Sequence, residues 1–180
     1  MTAVEAAFAT EESLDQSTLV PPPPGPQNPA APTFADQASQ PVSPHVDASG
    51  KPFLSTTISQ EMVAHAQTAF SAVLSPSLAA KELTTLQSAM ASETTGGDTV
   101  MLAAGATVLQ YKSVTVNGTT ATVHAIVQPF EKFLQVNAKG TQGSANPVNE
   151  LDVQATLYLT PTGHWLVGSR TWDFVPGYGP

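Results

Sequence analysis

Val114-Thr115-Val116-Asn117-Gly118-Thr119-Thr120-Ala121-Thr122-Val123-His124-Ala125-Ile126-Val127 is a pair of alternating, β-branched runs about an Asn-Gly dipeptide. Asn-Gly supplies the two positive φ angles of a type I′ turn, so the stretch predicts a β-hairpin. With Asn117 and Gly118 at the centre, Val116 pairs with Thr119, Val114 with Ala121, Lys112 with Val123 and Gln110 with Ala125. This register places Val108, Val114, Val116, Ala121, Val123, Ala125 and Val127 on one side, the expected core face. Leu109, Tyr111, Ser113, Thr115, Thr120, Thr122, His124 and Ile126 share the other side.

Moving toward the C-terminus, Phe130 to Val136 extends the sheet after Pro129, and the Gly-, Asn- and Ser-rich stretch 137–149 reads as a loop. A second hairpin follows. Leu151, Val153, Ala155, Leu157 and Leu159 alternate with Asp152, Gln154, Thr156, Tyr158 and Thr160, and Pro161-Thr162-Gly163 turns the chain into 164–174. A three-residue loop sets Leu159 opposite Trp165 and Leu157 opposite Val167. Gln154 then faces Arg170 with Asp152 diagonal to it, a polar ladder on the outer face. A PGYGP segment, read as a flexible tail, closes the chain.

Toward the N-terminus, Met62, Ala66, Ala69, Phe70, Val73 and Leu74 recur at the spacing of one helix face, and Pro76 ends that helix. Ser75 or Ser77 caps a second helix with Pro76 near its start, striped by Leu78, Leu83, Leu86 and Met90 and stopped by Gly96-Gly97. Ten of the 16 prolines lie between Pro21 and Pro52, where large apolar residues are nearly missing, so that stretch reads as an extended spacer. Before it, Val4, Ala7, Phe8 and Leu14 have near-helical spacing, but a helix so short needs a partner. It reads either as a peptide that docks on another protein or as a frayed tail. The division adopted is residues 1–52 as a disordered acidic and Pro-rich tail and linker, and residues 53–177 as one α+β domain.

Composition sets the outer limits on function. The 180 residues carry 14 acidic and 6 basic side chains, a formal charge of -8, too few cations to neutralise phosphates, so no nucleic-acid partner is expected. With no cysteine, thiol catalysis, disulfides and cysteine-metal sites are excluded. No apolar run is long enough to span a bilayer, and the first residues hold acids where a secretory signal needs Lys or Arg. Membrane attachment would require an anchor upstream that these residues do not contain.

Two helices followed by two long hairpins make an α+β fold in which a curved antiparallel sheet wraps on the N-terminal helices as a cone. The order of elements, the VTVNGTTATVHAIV hairpin and the closing ATLYLTPTGHWLVGSRTWDF resemble the nuclear-transport-factor-two-like, or SnoaL-like, superfamily over about residues 53–175. Within it, a Pro-rich stretch before the domain is similar to the Mce-associated and conjugal-transfer accessory proteins of actinobacteria. That resemblance implies an extracytoplasmic accessory module of an envelope or transfer machinery. The superfamily's isomerases and dehydratases use Asp, His and Tyr inside the cone, which implies a small-molecule alternative here.

The residues that could carry such chemistry are His124, Tyr111 and Asp173. His124 shares a face with Tyr111, and an imidazole beside a phenol can move a proton; the alternation makes that face the polar one, where a histidine is simply solvated. By alternation Asp173 falls on the inward face with Trp165 and Leu151, but it lies at the end of the strand, where register frays and the carboxylate reads as exposed or turn-bonded. The seven-residue separation of Trp165 and Trp172 sends Trp172 outward beside Arg170 and Tyr158, a trio suited to a protein partner. Self-association through the sheet is expected as well. No HExxH, EF-hand, GxSxG, Walker or GxGxxG pattern occurs, and no metal or cofactor is expected. The preferred reading is a non-enzymatic interaction module presenting a sheet face or an edge strand to a protein partner.

Overall fold

A computed structural model describes residues 2–18, 20, 56–94, 99–136, 142–145 and 149–178. The Pro-rich stretch 21–52 lies outside the described residues. Three helices, α1 (Ala3–Ser17), α2 (Thr56–Val73) and α3 (Pro76–Thr94), pack on one side of an antiparallel sheet. Its strands are β1 (Thr99–Asn117), β2 (Thr120–Val136), β3 (Gln142–Ala145), β4 (Leu151–Leu159) and β5 (Trp165–Phe174). They are ordered β1-β2-β4-β5, and β3 pairs with the far end of β2. The chain is thus α+β, as expected, with a short strand inside the stretch read as a loop.

The largest departure is α1. Residues 3–17 are neither frayed nor free: α1 crosses the inner face of the sheet, meeting β1, β2, β4 and β5, and packs on α2. Thr2-x-x-Glu5 is a capping box, the Thr2 hydroxyl accepting from the Glu5 amide at 3.2 Å while the Glu5 carboxylate accepts from the Thr2 amide at 2.5 Å. That backbone donor holds the Glu5 carboxyl below its ordinary range. Val4 and Phe8, one turn apart, are buried in the core. The partner that so short a helix requires is its own domain.

α2 and α3 follow their sequence patterns. Ile58, Met62, Ala66 and Phe70, spaced by four, form the buried stripe of α2. Ser75 is the cap of α3, its hydroxyl accepting from the Leu78 amide at 3.4 Å, with Pro76 as the first helical residue, where a missing N–H costs nothing. The junction of α2 and α3 is tied to β5 by the Ser75 amide donating to the Val167 carbonyl at 2.8 Å.

In the first hairpin Asn117 pairs with Thr120, Val116 with Ala121 and Val114 with Val123. The register is one position from the expected one because Gly118 alone takes a positive φ, 60°. Asn117 does not, so the loop is Gly118-Thr119 with the glycine first, the φ pattern of a type II′ turn. Each partner moves by two, which preserves the sides, and Ala121, Val123, Ala125 and Val127 are buried as expected. Val116 is an exception, exposed beside the turn beyond the reach of the helices. Pro129 sits in β2 between the ends of the β4 and β3 pairings, where a missing donor breaks no ladder on that edge.

In the second hairpin Leu159 faces Trp165 and Leu157 faces Val167, as expected, around a loop in which Gly163 has φ 87°. The C-terminal segment is not free: the Val175 amide donates to the Glu150 carbonyl at 2.9 Å, and the Glu150 amide to the Tyr178 carbonyl at 3.3 Å.

Candidate functional site

β-bulges decide which side chains meet. β1 changes register between Val108 and Gln110 and again between Tyr111 and Ser113. Between those two bulges its alternation is reversed, so Tyr111 pairs with Ala125 and turns to the helix side. There its hydroxyl donates to the Glu5 carbonyl at 2.9 Å and its ring meets Phe8 edge-on at 6.2 Å. Burial, and then the nearby Glu5 charge, push the Tyr111 phenol above its ordinary range. His124 stays on the open side, opposite Ser113. The expected His124 and Tyr111 pair is therefore split across the sheet, with Tyr111 structural.

β5 has its own bulge, at Gly168, where Leu157 pairs with Val167 but Thr156 pairs with Ser169. A Cβ at Gly168 would overlap the Tyr158 ring, which lies over the glycine on the open side. Beyond the bulge the sides reverse. Arg170, opposite Ala155, and Trp172, opposite Val153, turn to the helix side, while Asp173, opposite Asp152, turns to the open side. Asp173 is exposed there, as expected for a strand-end carboxylate and not inward as strict alternation has it, and Trp165 and Trp172 share a side. The expected trio of Trp172, Arg170 and Tyr158 is split as well, and Arg170 does not face Gln154.

Arg170 is bound to α1. Its Nη1 lies 3.0 Å from Glu11 Oε1 and 3.8 Å from Glu12 Oε1, with both carboxylates buried. Two helix carboxylates are thus neutralised by one guanidinium at the helix–sheet seam, where an uncompensated charge would be costly. Next to it Trp172, 52% exposed, and Phe174, 39% exposed, meet edge-to-face at 5.5 Å. They rim a hollow of about 180 Å3 with Pro129, Leu151 and Val153. An apolar hollow of about 330 Å3 lies between α2, α3 and Leu166.

The open side carries the main polar cluster. His124 Nε2 is 2.5 Å from Asp152 Oδ1, and Lys112 Nζ donates to Asp152 Oδ2 at 2.7 Å. The Lys112 bond, and then that of His124, hold the Asp152 carboxyl below its ordinary range. Sequence reasoning placed Asp152 on the polar side but missed Lys112, which the bulge after Tyr111 turns outward to meet it. Beside the cluster runs a half-open groove of about 460 Å3 lined by residues from β1, β2, β4 and β5, Ser113, Thr122, His124, Gln154, Thr156, Ser169 and Thr171 among them. Among the described residues no three His, Asp or Glu side chains are grouped to hold a metal ion, and no helix is long and apolar enough to cross a membrane.

No family model matches the chain, and no curated protein matches it. Among solved structures, the intermembrane-space region of the chloroplast protein ARC6 is 18% identical, the match covering 67% of this chain and 82% of that one with a TM-score of 0.37.

Proposed function

We propose that this domain is a non-enzymatic interaction module that presents the free edge of its sheet, at Trp172 and Phe174, to a protein partner. The observation that carries this reading is the exposed aromatic pair on β5, the terminal strand of the sheet order. Large aromatics dominate binding energy when a partner desolvates them, and left open they invite aggregation. An edge strand adds unpaired backbone donors and acceptors, so an incoming strand gains hydrogen bonds and an aromatic anchor together. Self-association through this edge is the simplest version of the contact. The cone-shaped, nuclear-transport-factor-two-like architecture is the finer fold reading, supported by three helices on one side of an antiparallel sheet closed by the Trp165 hairpin. An accessory role in an envelope or transfer machinery is our reading of the Pro-rich composition before the domain.

The small-molecule alternative asks for an apolar pocket between helices and sheet in which at least two of His124, Tyr111 and Asp173 converge. Phe8, Phe70, Met62, Val123 and Leu157 fill that space, and His124 and Tyr111 are on opposite sides of the sheet, out of proton-transfer reach of one another.

The test is a photo-crosslinking amino acid placed at position 172 and, in a second protein, at Ser77 on the exposed side of α3. With the full chain in its native host, position 172 yields a discrete protein adduct or a self-adduct and position 77 yields none. No adduct from 172, or equal adducts from both, rejects the edge as the working surface.

A further inference from the structure

We propose that the groove on the open side of the sheet binds a neutral polysaccharide, independently of the β5 edge. Register aligns its lining in two cross-strand rows, Ser113-His124-Gln154-Thr171 and Thr122-Thr156-Ser169. Strand spacing of about 4.8 Å and a two-residue rise of about 6.7 Å make this a regular lattice of hydroxyl, amide and imidazole groups. Its volume, about 460 Å3, falls in the roughly 300–1,000 Å3 range of ligand sites.

The chemistry of the lining selects the ligand. A hydroxyl donates once and accepts twice, so a surface of Ser and Thr is matched by groups that also do both, namely other hydroxyls. An anion would need a cation in the groove. Arg170 lines the groove, but its guanidinium is turned to Glu11 on the opposite side; Lys112, beside the groove, is engaged by Asp152, and the chain's net charge of -8 repels anions at long range. A cation would need a carboxylate in the groove, and none of its lining residues is an Asp or Glu; Asp152, beside it, is met twice. An apolar ligand would strand the hydroxyls without partners.

Two features flank the groove along β4. In one, Asp152 holds His124 Nε2 and so fixes the imidazole's orientation; in the Nε2–H tautomer, Nδ1 is an acceptor for a ligand hydroxyl. In the other, the Tyr158 ring rests over Gly168 and is 49% exposed, a flat apolar surface of the kind the C–H face of a sugar ring covers. The groove itself crosses four strands, about 14 Å, so the occupant is a short chain of sugars rather than one.

Affinity electrophoresis of the full chain through native gels tests this, with dextran, laminarin, glucomannan or polygalacturonate cast into separate gels. Retardation is expected in at least one neutral gel and not in polygalacturonate. Gln154→Ala and Tyr158→Ala each weaken it at least tenfold. Trp172→Ala leaves it unchanged, which separates this site from the β5 edge. Unretarded migration in all three neutral gels, retardation only by polygalacturonate, or retardation that survives both groove substitutions overturns the proposal.

Discussion

Val123 and His124 are adjacent in β2, and so are Ala155 and Thr156 in β4, yet each pair divides between two chemically different faces. On the helix side, Ala121, Val123, Ala125, Val127, Val153, Ala155 and Leu157 are buried against Phe8, Met62 and Phe70. On the open side, Thr122, Gln154, Ser169 and Thr171 are exposed, and no described helix covers them. The period-two alternation of a strand lets one backbone serve both faces. Stability is concentrated on the side where apolar area leaves water, at roughly 25 cal/mol per Å2, whereas polar groups on the open side exchange one hydrogen-bonding environment for another. The open side is therefore free to be shaped by binding.

The sharpest way to break this contrast is to cut into the helix side at its least expected component. Phe8 is fully buried, so Phe8→Ala removes a large side chain from the centre of the core, at a cost of about 3–5 kcal/mol. Urea denaturation measures it, with Thr156→Val from the open side expected within about 0.5 kcal/mol of the parent. A Phe8→Ala cost below about 1 kcal/mol would return α1 to the status of an appended tail.

The seam between α1 and β5 gives the next largest effect. Arg170→Ala leaves Glu11 and Glu12 buried without their guanidinium, and breaking such a pair costs about 3 kcal/mol. Glu11→Leu and Glu12→Leu combined with Arg170→Met remove charge from both sides and recover most of that loss. If the triple variant is no more stable than Arg170→Ala alone, the ion pairs are not what the seam depends on.

The elements were legible wherever a local signal and the tertiary environment agreed. Ser75-Pro76 started a helix, Met62, Ala66 and Phe70 chose a helix face, and the loop at Gly163 set the partners of Leu157 and Leu159. The sides of four site residues were not legible, because they depend on bulges. Strict alternation sends Tyr111 out, Asp173 in, and Arg170 and Trp172 out. A single unpaired residue, after Tyr111 or at Gly168, reverses everything up to the next irregularity. The signal at Gly168 was present as a glycine inside a strand, diagonal to Tyr158. α1 had a signal too, the Thr2-x-x-Glu5 capping box, but the compensation for Glu11 and Glu12 comes from Arg170, 159 and 158 positions away, which no local pattern reveals.

The smallest effect belongs to the open side and comes with a pH signature. Asp152 is about one-third exposed, and ion pairs of that kind contribute at most about 1 kcal/mol. Because its folded pKa is depressed by Lys112 and His124, the carboxylate stabilises the fold above the unfolded value near 4, and that contribution is lost as pH falls through the folded pKa. Asp152→Asn is thus slightly less stable than the parent at pH 7, and the gap closes on acidification below about 4, whereas the deficit of Phe8→Ala persists at both pH values. Thermal melts at pH 7 and pH 3 measure both. A gap for Asp152→Asn that stays constant across that range would mean the residue acts through packing or hydrogen bonding in either protonation state, and the open side would then share the energetics of the helix side.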